Sequence, residues 1–423
     1  MQTDLPRELL ATAEGGRADE ILRACVHCGF CNATCPTYQL LGDELDGPRG
    51  RIYLMKEMLE TGEADAVTRT HLDRCLTCRA CETTCPSGVR YGELLEIGRG
   101  YLEAGLPRPP RERLVRRWLL SVVPQPRRFR RWARLGRTFR WMLPRRLARA
   151  VPPAPGRGAP RDEQPGSDTL SSTAKRPAGH NRILLLDGCV QSVGTPHVNQ
   201  ALKSLLAARG IETIRAPGEQ CCGSLALHLG AGQEARATMA GNVDALAPEL
   251  DRVDAVISTA SGCGVTVKDY GRLLAEDPQR SNLAARIAEK TLDAAQYLHN
   301  LGWSWQRREP YRRVAWHSPC TLQHGQQVRG QVEALLQSAG YELVKVREGH
   351  LCCGSAGTYS ILQPDLASRL KARKLEALEQ HRPDVIATAN VGCQLHLAAD
   401  AAVPVVHWLE LLRQGAESRH GIG

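Results

Sequence analysis

Nowhere in this chain do 18 apolar residues run together, so no membrane-crossing helix is expected. The longest apolar stretch, around Ile183 to Leu186, has the length of a buried strand. The opening residues Met1 to Leu10 include Asp4, Pro6, Arg7 and Glu8 rather than an apolar leader core, so export is not expected either. No G-x-G-x-x-G joins a strand to a helix; the nearest glycine cluster, Gly156 and Gly158, sits in a polar, proline-rich stretch. A dinucleotide or flavin site is therefore not expected on this chain. No set of catalytic bases stands out for oxidising an organic substrate, which assigns such chemistry to another chain. Aromatic residues make up 4%, and two of the three phenylalanines fall in one segment.

What the chain has is cysteine, 16 in all. Without an export signal, that number argues for metal and redox chemistry in a reducing compartment. Eight of them form two runs with identical C-x2-C-x2-C-x3-C-P spacing: Cys25, Cys28, Cys31, Cys35 with Pro36, and Cys75, Cys78, Cys81, Cys85 with Pro86. Two-residue gaps wrap backbone amides around soft thiolates, and the proline fixes φ and turns the chain away. Disulfide-stapled loops fit poorly with an unexported chain, and zinc sites use pairs of C-x2-C rather than runs of four. The spacing is that of bacterial two-cluster ferredoxins, in which the fourth thiolate of each run ligates the other cluster. One [4Fe-4S] cluster is thereby assigned to Cys25, Cys28, Cys31 and Cys85, and a second to Cys75, Cys78, Cys81 and Cys35.

Residues 1–24 read as a short helix able to pack Ala18, Ile21 and Leu22 on this core. Between the runs, Ile52, Met55 and Leu59 recur at helical spacing, so residues 1–107 are expected to form a mainly helical two-cluster ferredoxin domain. Asp46 and Arg49 lie where they either orient groups near a cluster or begin a solvated helix.

Residues 108–150 form a basic segment. Fifteen arginines against Glu112 give it a formal charge near +14, beyond the +10 of the whole chain. Phe129, Trp132, Leu135, Phe139 and Met142 define an apolar stripe opposite Arg128, Arg131, Arg134 and Arg137; Leu114, Trp118 and Val122 make a shorter one. Such a helix suits an anionic membrane surface first and an acidic partner subunit second, and no groove-reading motif supports nucleic acid. Residues 151–181, rich in Pro, Gly, Ser and charge, read as a flexible linker.

The remaining eight cysteines repeat. Cys189, Cys221-Cys222-Gly223 and Cys263 are answered by Cys320, Cys352-Cys353-Gly354 and Cys393, with 31 residues between the first cysteine and the pair in both copies. Strand patterns at Arg182 to Asp187, Val253 to Ser258, Arg313 to His317 and Asp384 to Thr388 alternate with helical ones at Ala201 to Ala208 and Leu366 to Leu378. Two α/β units, 182–310 and 311–423, are expected, with the cysteines at the carboxyl ends of their strands, so the fold class is α+β and multidomain. In each unit the four thiols suit a further iron-sulfur cluster; a redox-active vicinal pair, zinc or buried structural cysteines are the alternatives. His317, His324, His350 and His407 lie near these cysteines and are either neighbours of the sites or ordinary core and surface residues.

With the ferredoxin runs in front, the two C-C-G units resemble the CCG family of heterodisulfide reductases, anaerobic glycerol-3-phosphate dehydrogenase C subunits, lactate-utilisation proteins and glycolate oxidase iron-sulfur subunits. HCGFCNATCPTY (His27 to Tyr38), DGPRGRIYLMKEM (Asp46 to Met58) and HLCCGSAGTYSI (His350 to Ile361) are most similar to the last group. The resemblance implies a non-flavin subunit of an oxidoreductase complex, passing electrons from a flavin-binding dehydrogenase subunit oxidising a 2-hydroxy acid such as glycolate to the quinone pool. It implies a cytoplasmic protein, peripheral on the inner face of the inner membrane, with no catalysis on the hydroxy acid by the isolated chain. Lactate utilisation, glycerol-3-phosphate oxidation and heterodisulfide-type thiol chemistry are the alternatives. One departure stands against the last: where five-thiolate members end each unit in C-x-x-C, this chain has Ala260 before Cys263 and Asn390 before Cys393.

Overall fold

The computed structural model describes residues 1–142, 181–308 and 310–414. The expected linker, apart from Asn181, lies outside them, as do residues 143–150 of the basic segment and 415–423.

The front of the chain is helical throughout its described length. Helices Ala13–Ala24, Pro48–Thr61, Ala66–Asp73 and Tyr91–Gly105 enclose a core of Leu22, Met55, Met58, Leu59, Leu72, Leu94 and Leu95. Local chemistry sets their ends. Asp65 accepts hydrogen bonds from the amides of Val67 and Thr68, Pro48 occupies a first turn where no amide donor is needed, and Gly62 at φ +76° ends the helix it follows. Gly98 lets two helices close up, since a Cβ there would sit 2.7 Å from Met55 Sδ. Small ferredoxins link their runs with strands; the helical expectation holds here because the insertion carries its own apolar stripe.

The basic segment forms a hairpin of helices Pro110–Val122 and Pro126–Thr138, with Trp118 and Trp132 edge to face at 5.5 Å. The shorter apolar stripe divides: Val122 is buried, as is Leu119 outside the stripe, whereas Leu114 and Trp118 are exposed. Two arginines take the inner side. Arg108 reaches Asp73 at 2.7 Å and Glu103 at 2.5 Å, and Arg116 reaches Asp73 at 3.2 Å, so acids of the helical domain pull this end of the hairpin inward. Beyond Thr138 the expected stripe continues as a turn rather than a helix, with Phe139, Trp141 and Met142 exposed.

The second half holds two four-stranded parallel sheets of matching topology. Strands β1 (Arg182–Leu185), β2 (Glu212–Ile214), β3 (Ala255–Ser258) and β4 (Thr291–Asp293) pair in the order β2-β1-β3-β4. After β5 (Trp305–Arg307), strands β6 (Arg313–His317), β7 (Glu342–Leu343), β8 (Val385–Thr388) and β9 (Val405–His407) pair as β7-β6-β8-β9. β10 (Leu412–Gln414) returns to pair antiparallel with β5, tying the end of the first repeat to the end of the second. One apolar core runs through both sheets, with Ile183, Leu185 and Ile257 from the first and Val314, Trp316 and Val385 from the second. No helix among the described residues is long and apolar enough to cross a membrane.

Candidate metal centres

Both front cysteine runs take the same backbone path. His27 and Thr77, then Gly29 and Arg79, adopt positive φ at equivalent places, and the short helices Phe30–Thr34 and Ala80–Thr84 follow. Left-handed φ costs an L-residue about 1–2 kcal/mol, so three non-glycine residues held there point to a loop closed around something. The structure gathers the thiols in crossed groups. Burial raises the Cys31 thiol to about 11, and Cys25, Cys85 and Cys28 are its charged neighbours. Cys25, Cys28, Cys31 and Cys85 line one small cavity with Pro48, Ile52 and Val89, and Cys81 also borders it. Burial also raises Cys81, whose neighbours are Cys78, Cys75 and Cys35. Cys28 is exposed and Cys31 and Cys85 half-buried, whereas all four thiols of the second group are buried.

Around the second group lies a polar network that the sequence reading missed. Arg51, 1% exposed, donates to the His71 carbonyl at 2.7 Å, Thr37 Oγ1 at 3.1 Å, Asp46 Oδ1 at 3.3 Å and Cys35 Sγ at 3.9 Å. Asp46, fully buried, also faces Arg74 at 2.8 Å and His71 Nδ1 at 3.0 Å. Tyr91 Oη donates to Cys75 Sγ at 3.6 Å. Of the two residues singled out at the start of this helix, Asp46 is internal, while Arg49 pairs with Glu44 near the surface. The steps from Arg51 to Met55 and Met58 were the available signal, since they put Arg51 on the buried face.

The second group abuts the second repeat. Cys78 and Leu76 share an apolar cluster with Cys320, Cys352 and Tyr359. Tyr359 Oη donates to the Arg74 carbonyl at 3.0 Å, and Thr83 Oγ1 meets His324 Nδ1 at 2.9 Å. The first repeat contacts the front domain through Arg79 to Asp269 at 3.2 Å and Arg272 to Glu96 at 3.1 Å.

Each repeat brings its cysteines together past the carboxyl ends of its strands. In the first, Cys189 Sγ lies 3.5 Å from Cys221 Sγ. Hydrogen bonds from Cys189 and Cys222 hold Cys221 below the ordinary thiol range and leave both partners raised, and Cys263 bonds to Cys222, so the four sulfurs form one linked set. Asn242 and Tyr270 brace the pair by donating to the carbonyls of Cys221 at 2.8 Å and Cys222 at 3.0 Å. In the second, Cys320 Sγ lies 3.9 Å from Cys352 Sγ, which accepts from the Gly354 amide at 3.4 Å, and Cys353 interacts with both Cys352 and Cys393.

The four histidines separate by partner. His324 spans from Thr83 to the His350 carbonyl, His407 Nε2 donates to the Thr259 carbonyl across the repeats at 2.9 Å, and His350 is half-buried. His317 alone stands against the thiols. Asn390, where other members carry a cysteine, donates to Cys393 Sγ at 3.6 Å and accepts from the Gly262 amide at 3.3 Å. It orients a sulfur and links the two repeats.

Four sulfurs in each group, with hydrogen-bond donors turned toward several of them, fit soft metal centres, and the two front groups fit iron-sulfur clusters in donor type and number. Residues 21–89 match the 4Fe-4S dicluster domain family, and residues 183–268 and 314–398 each match the cysteine-rich CCG domain family. The chain is 44% identical over 419 residues to the glycolate oxidase iron-sulfur subunit of Escherichia coli (strain K12), covering 99% of this chain and 100% of that one. It is 30% identical to the probable glycolate oxidase iron-sulfur subunit of Bacillus subtilis (strain 168), covering 93% of each. In fold it is similar to the crystal structure of a hypothetical protein from Helicobacter pylori, with TM-score 0.54 at 9% identity, over 94% of this chain and 71% of that one.

Proposed function

This chain belongs to the family of glycolate oxidase iron-sulfur subunits, and on that premise we propose that it is the electron-transfer subunit of a flavin-dependent glycolate dehydrogenase. When bound, [4Fe-4S] clusters supply one-electron carriers. We assign the first to Cys25, Cys28, Cys31 and Cys85, the second to Cys75, Cys78, Cys81 and Cys35, and further metal sites to the two CCG cysteine sets. The flavin and the chemistry on the hydroxy acid belong to a partner subunit, and the electrons pass towards membrane quinone. The observation that carries this reading is the adjacency of the thiol groups: the front group holding Cys78 shares its apolar surroundings with Cys320 and Cys352. Arg51, Tyr91 and the buried core around them hold the inner group dry, while Cys28 leaves the outer one open to a partner.

The basic hairpin supports attachment to the inner face of the membrane. Leu114, Trp118, Trp132, Leu135, Phe139, Trp141 and Met142 are exposed beside its arginines, the pairing of apolar rings and positive charge that an anionic bilayer surface favours.

The test is reconstitution of the full chain with the flavin-bearing subunit. Glycolate-dependent quinone reduction is expected to need this chain and to be lost in Cys78→Ser, while reduction of an artificial acceptor at the flavin persists. Turnover of a disulfide substrate by this chain alone would instead support thiol chemistry. Flotation on anionic vesicles should weaken with salt and in Trp132→Ser/Phe139→Ser; salt-independent flotation would count against the hairpin.

A further inference from the structure

Val26 and Phe30 stand two residues to either side of Cys28, the exposed thiol of the outer group, and are themselves 66% and 62% exposed. Tyr53, 55% exposed, joins them from the helix Pro48–Thr61, with its ring centroid 6.1 Å from that of His27 and edge to face with it. Pro48 and Ile52 of the same helix line the outer cavity together with Val26 and His27, so the three apolar side chains rim one thiol group. Outside the basic segment, the described residues expose two other large apolar side chains, Leu10 and Val67. Phe30 is also the one phenylalanine outside that segment. Single exposed apolar residues are ordinary; three around one candidate cluster site call for a partner.

The loop that carries Phe30 is fixed before any partner arrives. Gly29 at φ +82° turns it, the backbone N–H of Asn32 donates to the Gly29 carbonyl at 3.0 Å, and the buried Asn32 side chain donates to Glu44 at 2.9 Å. A surface held in this way loses little freedom on contact, and ordering of side chains and loops is one of the main costs of association. Aromatic side chains on such surfaces are the residues that dominate binding between proteins.

We propose that Val26, Phe30 and Tyr53 form the docking surface for the flavin-bearing subunit, whose electrons enter the outer group through the face that Cys28 leaves open. The inference rests on the electron-transfer reading above and adds where the donor binds. Position in the fold selects the donor over the membrane. The outer cavity lies at the Tyr91 end of the helix Tyr91–Gly105, whereas Glu103, near the other end, pairs with Arg108, where the basic segment begins. Twelve residues of helix, about 18 Å, separate the two, so donor and membrane take different ends of the domain. The inner group is closed off, with all four thiols buried and Cys78 packed against the second repeat. A 2-hydroxy acid gives up two electrons and two protons on becoming the oxo acid; the electrons cross this surface one at a time, and the protons leave on the donor's side.

The experiment titrates the full chain against the flavin-bearing subunit and follows glycolate-driven bleaching of the iron-sulfur absorbance. Tyr53→Ser carries the test because Tyr53 lies outside the cysteine loop, Phe30→Ser is the second variant, and Val67→Ser, equally exposed at 55% on the helix Ala66–Asp73, is the control. The chain concentration giving half the maximal rate is expected to rise at least about tenfold in Tyr53→Ser and Phe30→Ser, and to stay within about twofold of wild type in Val67→Ser. Iron content, EPR signals and reduction by dithionite should match wild type in all three, which separates lost docking from a lost cluster; if Phe30→Ser loses iron, Tyr53→Ser decides alone. An unchanged half-rate concentration in Tyr53→Ser would overturn the docking surface. So would an equal rise in Val67→Ser, or a Tyr53→Ser change that shifts the chain's own oligomeric state with the donor titration unmoved, which would give the surface to a second copy. Failure of the electron-transfer reading shows in the wild type instead, as clusters that dithionite reduces and that glycolate with the flavin-bearing subunit does not.

Discussion

Removing the Asp46 carboxylate should unfold the front domain at a markedly lower temperature, although no metal ligand is touched. Asp46 and Arg51 have side-chain exposures of 0% and 1%, and the pair is 3.3 Å apart. Asp46→Ala leaves the Arg51 guanidinium buried with Thr37, the His71 carbonyl and Cys35 as its remaining acceptors. Breaking a buried ion pair from one side costs about 3–5 kcal/mol, a large share of the ~5–15 kcal/mol that holds a domain together. For a domain near 100 residues, even ~3 kcal/mol lowers the unfolding midpoint by more than ~10 °C. The surface pair on the same helix start is the internal control: Arg49 and Glu44 are 38% and 41% exposed, so Arg49→Ala should change stability by no more than ~0.5 kcal/mol. In Asp46→Ala/Arg51→Met both charges are gone, and at least half of the loss should return. The assay is heating of the full chain at one scan rate, followed by far-UV circular dichroism and by bleaching of the iron-sulfur absorbance. An Asp46→Ala midpoint within ~2 °C of wild type, or a double variant below the single one, would refute the reasoning.

Cys31→Ser and Cys35→Ser change cysteines four residues apart, yet each should remove about four irons and a different EPR signal, because Cys35 groups with Cys75, Cys78 and Cys81; loss of the same signal from both would contradict the crossed grouping. Tyr91→Phe deletes the donor to Cys75 Sγ, and a net hydrogen bond of ~0.5–1.5 kcal/mol corresponds to a potential more negative by ~20–65 mV in an EPR redox titration, with iron content unchanged. His197 and Glu410 pair at 3.3 Å; the hydrogen bond it donates to Glu410 raises His197, and His197 lowers Glu410 against the opposing effect of burial. The histidine contribution is complete below about pH 6.5 and fades as pH rises through its raised folded value, and the glutamate contribution fades as pH falls through its lowered one. The stability gap between wild type and His197→Ala should therefore be widest near pH 5–6 and close towards pH 8, as measured by thermal unfolding across that range.

The helical front domain and the doubled α/β half were legible because their signals are local. Ile52, Met55 and Leu59 lie within two turns of one helix, and the C-C-G repeat carries its strands beside its cysteines. The basic hairpin was only half legible. Its apolar and arginine positions are periodic, but the inward turn of Arg108 and Arg116 depends on Asp73, more than thirty residues away. Arg51 was passed over for Arg49 because a charge in a helix reads as solvated until its partners Asp46 and Thr37 close around it. Among the four histidines, the sequence does not show that His317 meets Cys353 and Cys393, which lie far along the chain from it.

By itself the sequence determined the cysteine spacings and the repeat, since a C-x2-C run keeps its thiols within one short loop whatever else the chain does. Tertiary structure alone decided that one apolar core joins the two repeats, that the inner front group lies against Cys320 and Cys352, and that His317 is buried against Cys353 and Cys393. Those outcomes follow from which distant surfaces exclude water together, and no short stretch of sequence encodes that pairing.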